Sequence, residues 1–312
     1  MKWEDRRRSS NVRRGPSANR RGRGSLGGPS YRGGFGGSPI RVGGGCGSII
    51  FIILILLLSR NLFSFNNGGN SNNYNPNQYE QRQEEQYIDP NEQRGTSERD
   101  RREDFLSVVL ADTEDVWNAK FDELSQNYNE PIMVPYTGST RSACGVANSN
   151  MGPFYCPLDE SIYIDASFYD DLVNRFGGGG DFALAYVLAH EVGHHVQNEL
   201  GIIEQTNQLR QRLSKTDYNT VSVAQELQAD YFAGLFTYYV EEKGYLEAGD
   251  IDEAMDAAAA IGDDRIQEMS GRNVNVDTFT HGSSAQRKEA FDLGYKYHDI
   301  DHSMKWFDDL GI

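Results

Sequence analysis

Between residues 101 and 312 the apolar positions follow helical spacing, interrupted by two short extended stretches. Leu106, Val109, Leu110, Trp117, Phe121 and Leu124, with Thr113 among them, predict an amphipathic helix over residues 103–124 that packs into a core. Residues 131–136 then switch to an extended pattern, and the run SIYID at 161–165 alternates as a strand does. Residues 181–200, DFALAYVLAHEVGHHVQNEL, begin with a segment that is apolar almost all round, so this helix belongs inside the core. Gly177 to Gly180 break the chain before it, Asp181 is expected to cap it, and Gly201 stands where a terminating glycine is expected. A further helix is predicted over 219–244, carrying Val223, Leu227, Tyr231, Leu235 and Tyr238, and an acidic, Ala-rich one over 251–261. The pattern is that of an α+β domain, mainly helical with a small sheet, and residues 101–312 suffice for one well-buried domain. No internal repeat is apparent.

Polar residues placed on the buried helix carry the chemistry. His190-Glu191-Val192-Gly193-His194 is an HExxH pattern. Positions 190 and 194 lie one turn apart, so both imidazoles leave the same face toward one point. Two neutral imidazoles suit Zn²⁺, and Glu191 beside them reaches a water on that metal. Burying such groups is costly without a partner, and a metal supplies one. His195 lies about 100° further round the helix and is read as a surface or packing residue outside the site. On the 219–244 helix, Glu226 and Asp230 share a face at i, i+4. One of these carboxylates is placed to ligate the metal while the other orients a ligand histidine. The HExxH and ExxxD pair resembles the gluzincin arrangement, which implies His190, His194 and Glu226 as ligands and Asp230 as the orienter. Further on, Ser283 or Ser284 is expected to cap a helix after His281. That segment resembles the Thr-His-Pro-containing segment of membrane-linked gluzincins. The likeness implies that His281 stabilises the developing oxyanion and that Arg287 pairs with Glu226 or substrate. A purely structural role, fixing a loop to a helix, fits the same two residues. His298 and His302 read as solvent-facing.

Charge divides the chain. Residues 1–41 carry Lys2, ten Arg, Glu4 and Asp5, whereas the remaining 19 basic and 44 acidic residues make the body strongly acidic, for −16 overall. The Gly-, Ser- and Arg-rich tail has few apolar residues and is expected to be disordered. Residues 42–59 contain no charge, and 49–58, IIFIILILLL, are wholly apolar. As a helix they would extend roughly 27 Å, close to the hydrocarbon thickness of a bilayer, with Arg60 at the far edge. Residues 42–65 are therefore predicted to form one uncleaved transmembrane anchor, since no A-x-A-like cleavage site follows. Arg enrichment before it puts the N-terminus in the cytoplasm and the body outside, giving a single-pass protein of the cell membrane. Residues 66–100, Asn-, Gln- and Gly-rich and then of mixed charge, read as a flexible linker. In an extracytoplasmic body, Cys144 and Cys156 are candidates for a disulfide, while Cys46 reads as a small residue at the membrane edge.

At this point nearly the whole chain outside the tail and linker resembles the neutral zinc metallopeptidases of bacteria. The likeness rests on KWEDRRRSSNV, CGVANSNMGPFYCPLDESIYID, LAHEVGHHVQ, SVAQELQAD and HGSSAQR. Tyr231 stands where that pattern has a cysteine, and the Gly/Arg tract is expanded. The resemblance implies a membrane-anchored zinc metallopeptidase, a zincin-like domain with Zn²⁺ as cofactor, and a protein or peptide as substrate. The zinc, held by two histidines and a glutamate, would activate water with Glu191 as general base. It also implies an edge strand beside the site that lies along the substrate, a role the SIYID strand is expected to fill. A zinc-stabilised, non-catalytic binding or scaffold protein tethered to the membrane is the alternative, in which Glu191 would serve no purpose. An RGG-like tail can contact nucleic acid or anionic lipid, but no nucleic-acid partner is expected here.

Overall fold

A central helix and a second one crossing it at small residues carry the core of the computed structural model, which describes residues 1–13, 90–165, 167–176 and 179–312. The elements in order are α1 (Pro90–Glu123), β1 (Ile132–Tyr136), β2 (Ser139–Ser142), β3 (Gly145–Asn148), β4 (Phe154–Cys156) and β5 (Ser161–Asp165). Then come α2 (Asp181–Glu199), α3 (Ile202–Arg210), α4 (Lys215–Glu242), α5 (Asp250–Ala260), α6 (Asp263–Met269), α7 (Ser284–Tyr297) and α8 (Lys305–Leu310).

Every residue of α2 from Phe182 to Gly193 is buried, as its all-round apolar sequence requires. Helix α4 runs across it, and the approach is set by Gly193, where a Cβ would stand 3.0 Å from the Cα of Ala229. The α4–α7 crossing is tighter still: a Cβ at Gly294 would lie 1.8 Å from the Tyr231 carbonyl oxygen. Glycine at these two positions lets three helices converge at the level of residues 190, 230 and 287. Helix α1 closes the other side, with Trp117 edge-on to Phe232 at 5.0 Å. Asp181 does not cap α2. Gly180 is the N-cap at φ 107°, and the free Phe182 N–H donates to the Glu253 carboxylate at 3.0 Å. Gly201 ends α2 at φ 75°, and Ser283 caps α7 in a capping box with Gln286.

The main sheet has the order β1-β5-β4, parallel between β1 and β5 and antiparallel between β5 and β4; β2 and β3 form a separate hairpin. SIYID is therefore the central strand. The edge strand against α2 is β4, a segment whose three residues are too few to show alternation. Cys144 and Cys156 are disulfide-bonded, tying the hairpin region to β4.

Two expectations about the N-terminal half change. Helix α1 starts at Pro90, so the last part of the expected linker is helical. Residues 1–13 are not a disordered tail: Met1 and Trp3 are buried, and Arg13 and Asn11 exchange backbone hydrogen bonds with Met133 of β1, each 2.8 Å. Composition misled here because the Arg6, Arg7 and Arg8 side chains, which suggest disorder, have carboxylate partners on the domain. Residues 14–89, with the expected span at 42–65, lie outside the described residues. Among the described residues no helix is long and apolar enough to cross a membrane.

Candidate metal centre

Helix α2 supplies His190, Glu191 and His194, and α4 supplies Glu226 and Asp230. His190 Nε2 lies 3.3 Å from Glu226 Oε2, and His194 Nε2 lies 3.6 Å from Glu226 Oε1. Ligands about 2.0–2.2 Å from a tetrahedral zinc sit roughly 3.3–3.5 Å from one another, so these separations suit the ion. The three ligand atoms all lie within 4.8 Å of each other. His190 Nε2, Glu226 Oε2 and Glu191 Oε2 are buried without a protein hydrogen-bond partner. Orphaned buried polar atoms of this kind are rare, and a shared cation removes the cost for the two ligand atoms. The donor set fits Zn²⁺, and three ligands leave a fourth position for water or substrate.

What surrounds the histidines fixes which nitrogen faces the metal. His190 Nδ1 donates to Asp230 Oδ1 at 2.8 Å, because a carboxylate only accepts. Asp230 is held in turn by the Arg287 guanidinium, Nε to Oδ2 at 2.7 Å and Nη2 to Oδ1 at 2.9 Å, and by the Tyr186 hydroxyl. All of these residues are buried. Arg287 therefore pairs with Asp230 rather than with Glu226, and it has no exposed surface to offer a substrate. On the other ligand, Gln197 Nε2 donates to the Gln225 carbonyl at 2.7 Å and to Gln228 Oε1 at 3.0 Å. Its Oε1 is thus the atom facing His194, accepting from Nδ1 at 2.9 Å and leaving Nε2 free.

The electrostatics follow from this shell. Burial disfavours an ionised Asp230, but Arg287 and His190 outweigh it and hold the carboxyl below its ordinary value. Burial would lower His190, yet Asp230 and Glu226 push it up to about 9 with protein groups alone around it. Metal binding near neutral pH must therefore displace a proton. Burial opposes ionisation of Glu226 as well, and His194, His281 and His190 hold it well below the carboxylate range as befits a ligand. Glu191 goes the other way: burial pushes it above its ordinary value, with His194 and His190 tempering the rise. A carboxylate raised in this manner is suited to accept and return a proton.

His281 is 1% exposed, lies in the loop before α7 and is near enough to Glu226 for its charge to act on that carboxyl. Asp263 holds it: Oδ2 accepts the His281 backbone N–H at 2.7 Å and that of Thr280 at 2.6 Å, and Oδ1 lies 3.1 Å from His281 Nδ1. His195 is a buried packing residue. Its Nε2–H donates to the Asn129 carbonyl at 2.6 Å, so Nδ1 accepts from the Tyr155 hydroxyl at 3.0 Å. His302 is exposed and His298 is half-buried, stacked 3.8 Å above Tyr238. Three residues with a part in this arrangement escape a reading of the sequence. Gln197 follows His194 by three positions and Tyr186 precedes His190 by four, so both were open to detection by helical spacing, whereas Asp263 has no local signal.

Two histidines and a carboxylate on core helices, with a spare buried carboxylate beside them, make a candidate zinc site. The chain belongs to the family described as "Putative neutral zinc metallopeptidase", which matches residues 1–304. It is 43% identical over 298 residues to the protein named "Uncharacterized protein YpfJ" of Escherichia coli strain K12, covering 95% of each chain. It is 42% identical over 206 residues to "Uncharacterized protein Rv2575" of Mycobacterium tuberculosis, covering 62% of this chain and 69% of the relative. No solved structure matches.

Proposed function

We propose that this chain is a zinc metallopeptidase that hydrolyses peptide bonds, with Glu191 as general base. The observation that carries the reading is the unpartnered, buried Oε2 of Glu191 beside a His190, His194 and Glu226 cluster that fits zinc. A purely structural zinc site has no use for that carboxylate, and burying it without a partner costs about 1–3 kcal/mol or more. Zinc bound there supplies Lewis acidity, lowering a water's pKa toward about 7 and polarising the scissile carbonyl.

The chain's own residues do the rest. Glu191 takes the proton of the attacking water on a carboxylate oxygen and returns it to the leaving amine. Asp230 and Gln197 keep the two imidazoles in the tautomer that presents Nε2, and Arg287 locks Asp230 in place. His281, oriented by Asp263, donates to the oxyanion as it develops. The edge strand β4, whose Tyr155 backbone N–H points to Glu191, is the strand along which an extended substrate would lie. The uncharged run at 42–59 attaches the protein to a lipid bilayer.

The test is metal content followed by cleavage of an unstructured protein such as casein. We expect one zinc per chain, cleavage abolished by chelation, and Glu191→Gln inactive with zinc retained. Full activity in Glu191→Gln would refute its role, and absence of zinc from the purified wild type would remove the reading altogether. One zinc with no cleavage of any unstructured protein would favour a non-catalytic binding protein.

A further inference from the structure

Residues 1–13 are bound to the domain along their whole length. Trp3 is 5% exposed and packs edge-on to Phe105 of α1, ring centroids 5.6 Å apart. The Arg6 guanidinium lies 3.5 Å from the centre of the Tyr245 ring and pairs with Asp112. Arg7 bonds Glu114 at 2.7 Å and Asp115 at 2.8 Å, and Arg8 reaches Asp104 with two bonds of 2.5 and 2.6 Å. Ser9 donates its N–H to the Ser107 carbonyl at 2.9 Å, and Val12 bridges in parallel to Met133 on the open side of β1. Three consecutive arginines thus meet four carboxylates of one helix, and the strap ends in a parallel bridge to β1 of the sheet that carries β4. Exposed ion pairs contribute little singly, but the buried Trp3 and the backbone bonds to β1 do not depend on them.

This strap conflicts with a single crossing of a membrane. A hydrocarbon core is about 30 Å thick, so a chain crossing once between residues 13 and 90 would keep Trp3 and Arg6 away from α1 entirely. Crossing twice takes about 40 apolar residues in two helices, and the one strongly apolar run in that interval, 42–59, supplies enough for one. We propose that residues 1–13 and the metal-site domain lie on the same face of the membrane. This replaces the arrangement expected from charge, with the N-terminus inside and the body outside. It rests on the strap and on the membrane attachment proposed above, not on the peptidase reading.

The test uses the full chain expressed in bacterial cells, with Cys46→Ser as parent. One exposed position on the strap, Asp5→Cys, and one on the domain, Asp252→Cys, are compared for reaction with a membrane-impermeant maleimide, counted over the parent. Both should react in intact spheroplasts, or both only after detergent. Reaction of one and protection of the other in the same cells would overturn the proposal. A second measurement asks whether the strap is docked at all. Trp3→Ala should speed tryptic cleavage at Arg7 and Arg8 by about tenfold or more, given the usual cost of removing a buried Trp. An unchanged cleavage rate would mean that the strap is free and the inference fails. Neither readout depends on zinc or catalysis, so Glu191→Gln should behave as the parent in both.

Discussion

Replacing Arg287 by Met tests whether the charge shell behind the metal is a structural unit. Arg287 is fully buried, with two bonds to Asp230, one to the Tyr186 hydroxyl at 3.2 Å and one to the Ile261 carbonyl at 3.3 Å. Met fills much of the volume but leaves Asp230, itself 0% exposed, as an uncompensated charge. Breaking a buried pair by removing one partner costs about 3–5 kcal/mol. In a domain of this size each kcal/mol moves Tm by about 2–4 °C, so a fall of roughly 6–20 °C is expected. The assay is urea and thermal unfolding of the full chain in mild detergent with a chelator present, so that metal binding does not add to the apparent stability. The companion is Arg287→Met with Asp230→Asn. The amide keeps an oxygen to accept from His190 Nδ1 and Tyr186 but carries no charge, so the double variant should regain about 2 kcal/mol over Arg287→Met. If the double variant is no more stable than the single one, the loss does not come from the stranded carboxylate and the reasoning fails.

Gln197→Ala should weaken zinc binding by about 10–100-fold, because His194 loses the acceptor that fixes its tautomer, while the circular dichroism spectrum stays unchanged; competition with a fluorescent chelator measures it, and unaltered affinity would remove Gln197 from the site. Stability should fall in acid. Asp230 and Asp263 both resist ionisation through burial, but Arg287 and His190 hold the first, and His281 with the Thr280 N–H the second, below the ordinary carboxylate value. Below about pH 4 the unfolded chain then binds more protons than the folded one, so the stability these groups give is full above that pH and is lost as pH falls through their depressed values. Asp112, pushed up to about 6 by burial against the pull of Arg6, has the opposite sign between roughly pH 4 and 6, so the loss is to be read below 4. Unfolding free energies at pH 4 and 3 that coincide, or a slope that Asp263→Asn leaves as steep as before, would contradict this.

The residues of the candidate site were legible wherever their spacing is local. HEVGH puts two imidazoles on one face of any helix, and ELQAD does the same for two carboxylates, because 3.6 residues per turn fixes these neighbours before any tertiary contact forms. The burial of α2 was legible for a similar reason, since an all-round apolar helix has no face to give to water. Capping of α7 by Ser283 is a four-residue event and was also readable. Other features depend on segments far apart in the chain, and no local pattern encodes them. Arg287 had to be placed by a helix crossing at Gly294 before its partner was Asp230 instead of Glu226. Asp263 reached His281 only through the turn that joins α6 to the loop. SIYID looks the same as an edge or a central strand until its neighbours are known. The start of the chain gives the sharpest case: by composition it is a solvated tail, and residues 1–13 become a bound strap because α1 covers Trp3 and presents carboxylates to Arg6, Arg7 and Arg8 while β1 takes up their backbone hydrogen bonds. The sequence alone determined the metal ligand set's local geometry and the helical core that carries it. The tertiary structure decided which charges neutralise one another and on which surface the N-terminal segment lies, because those outcomes are set by the distance between elements rather than by the order of residues within them.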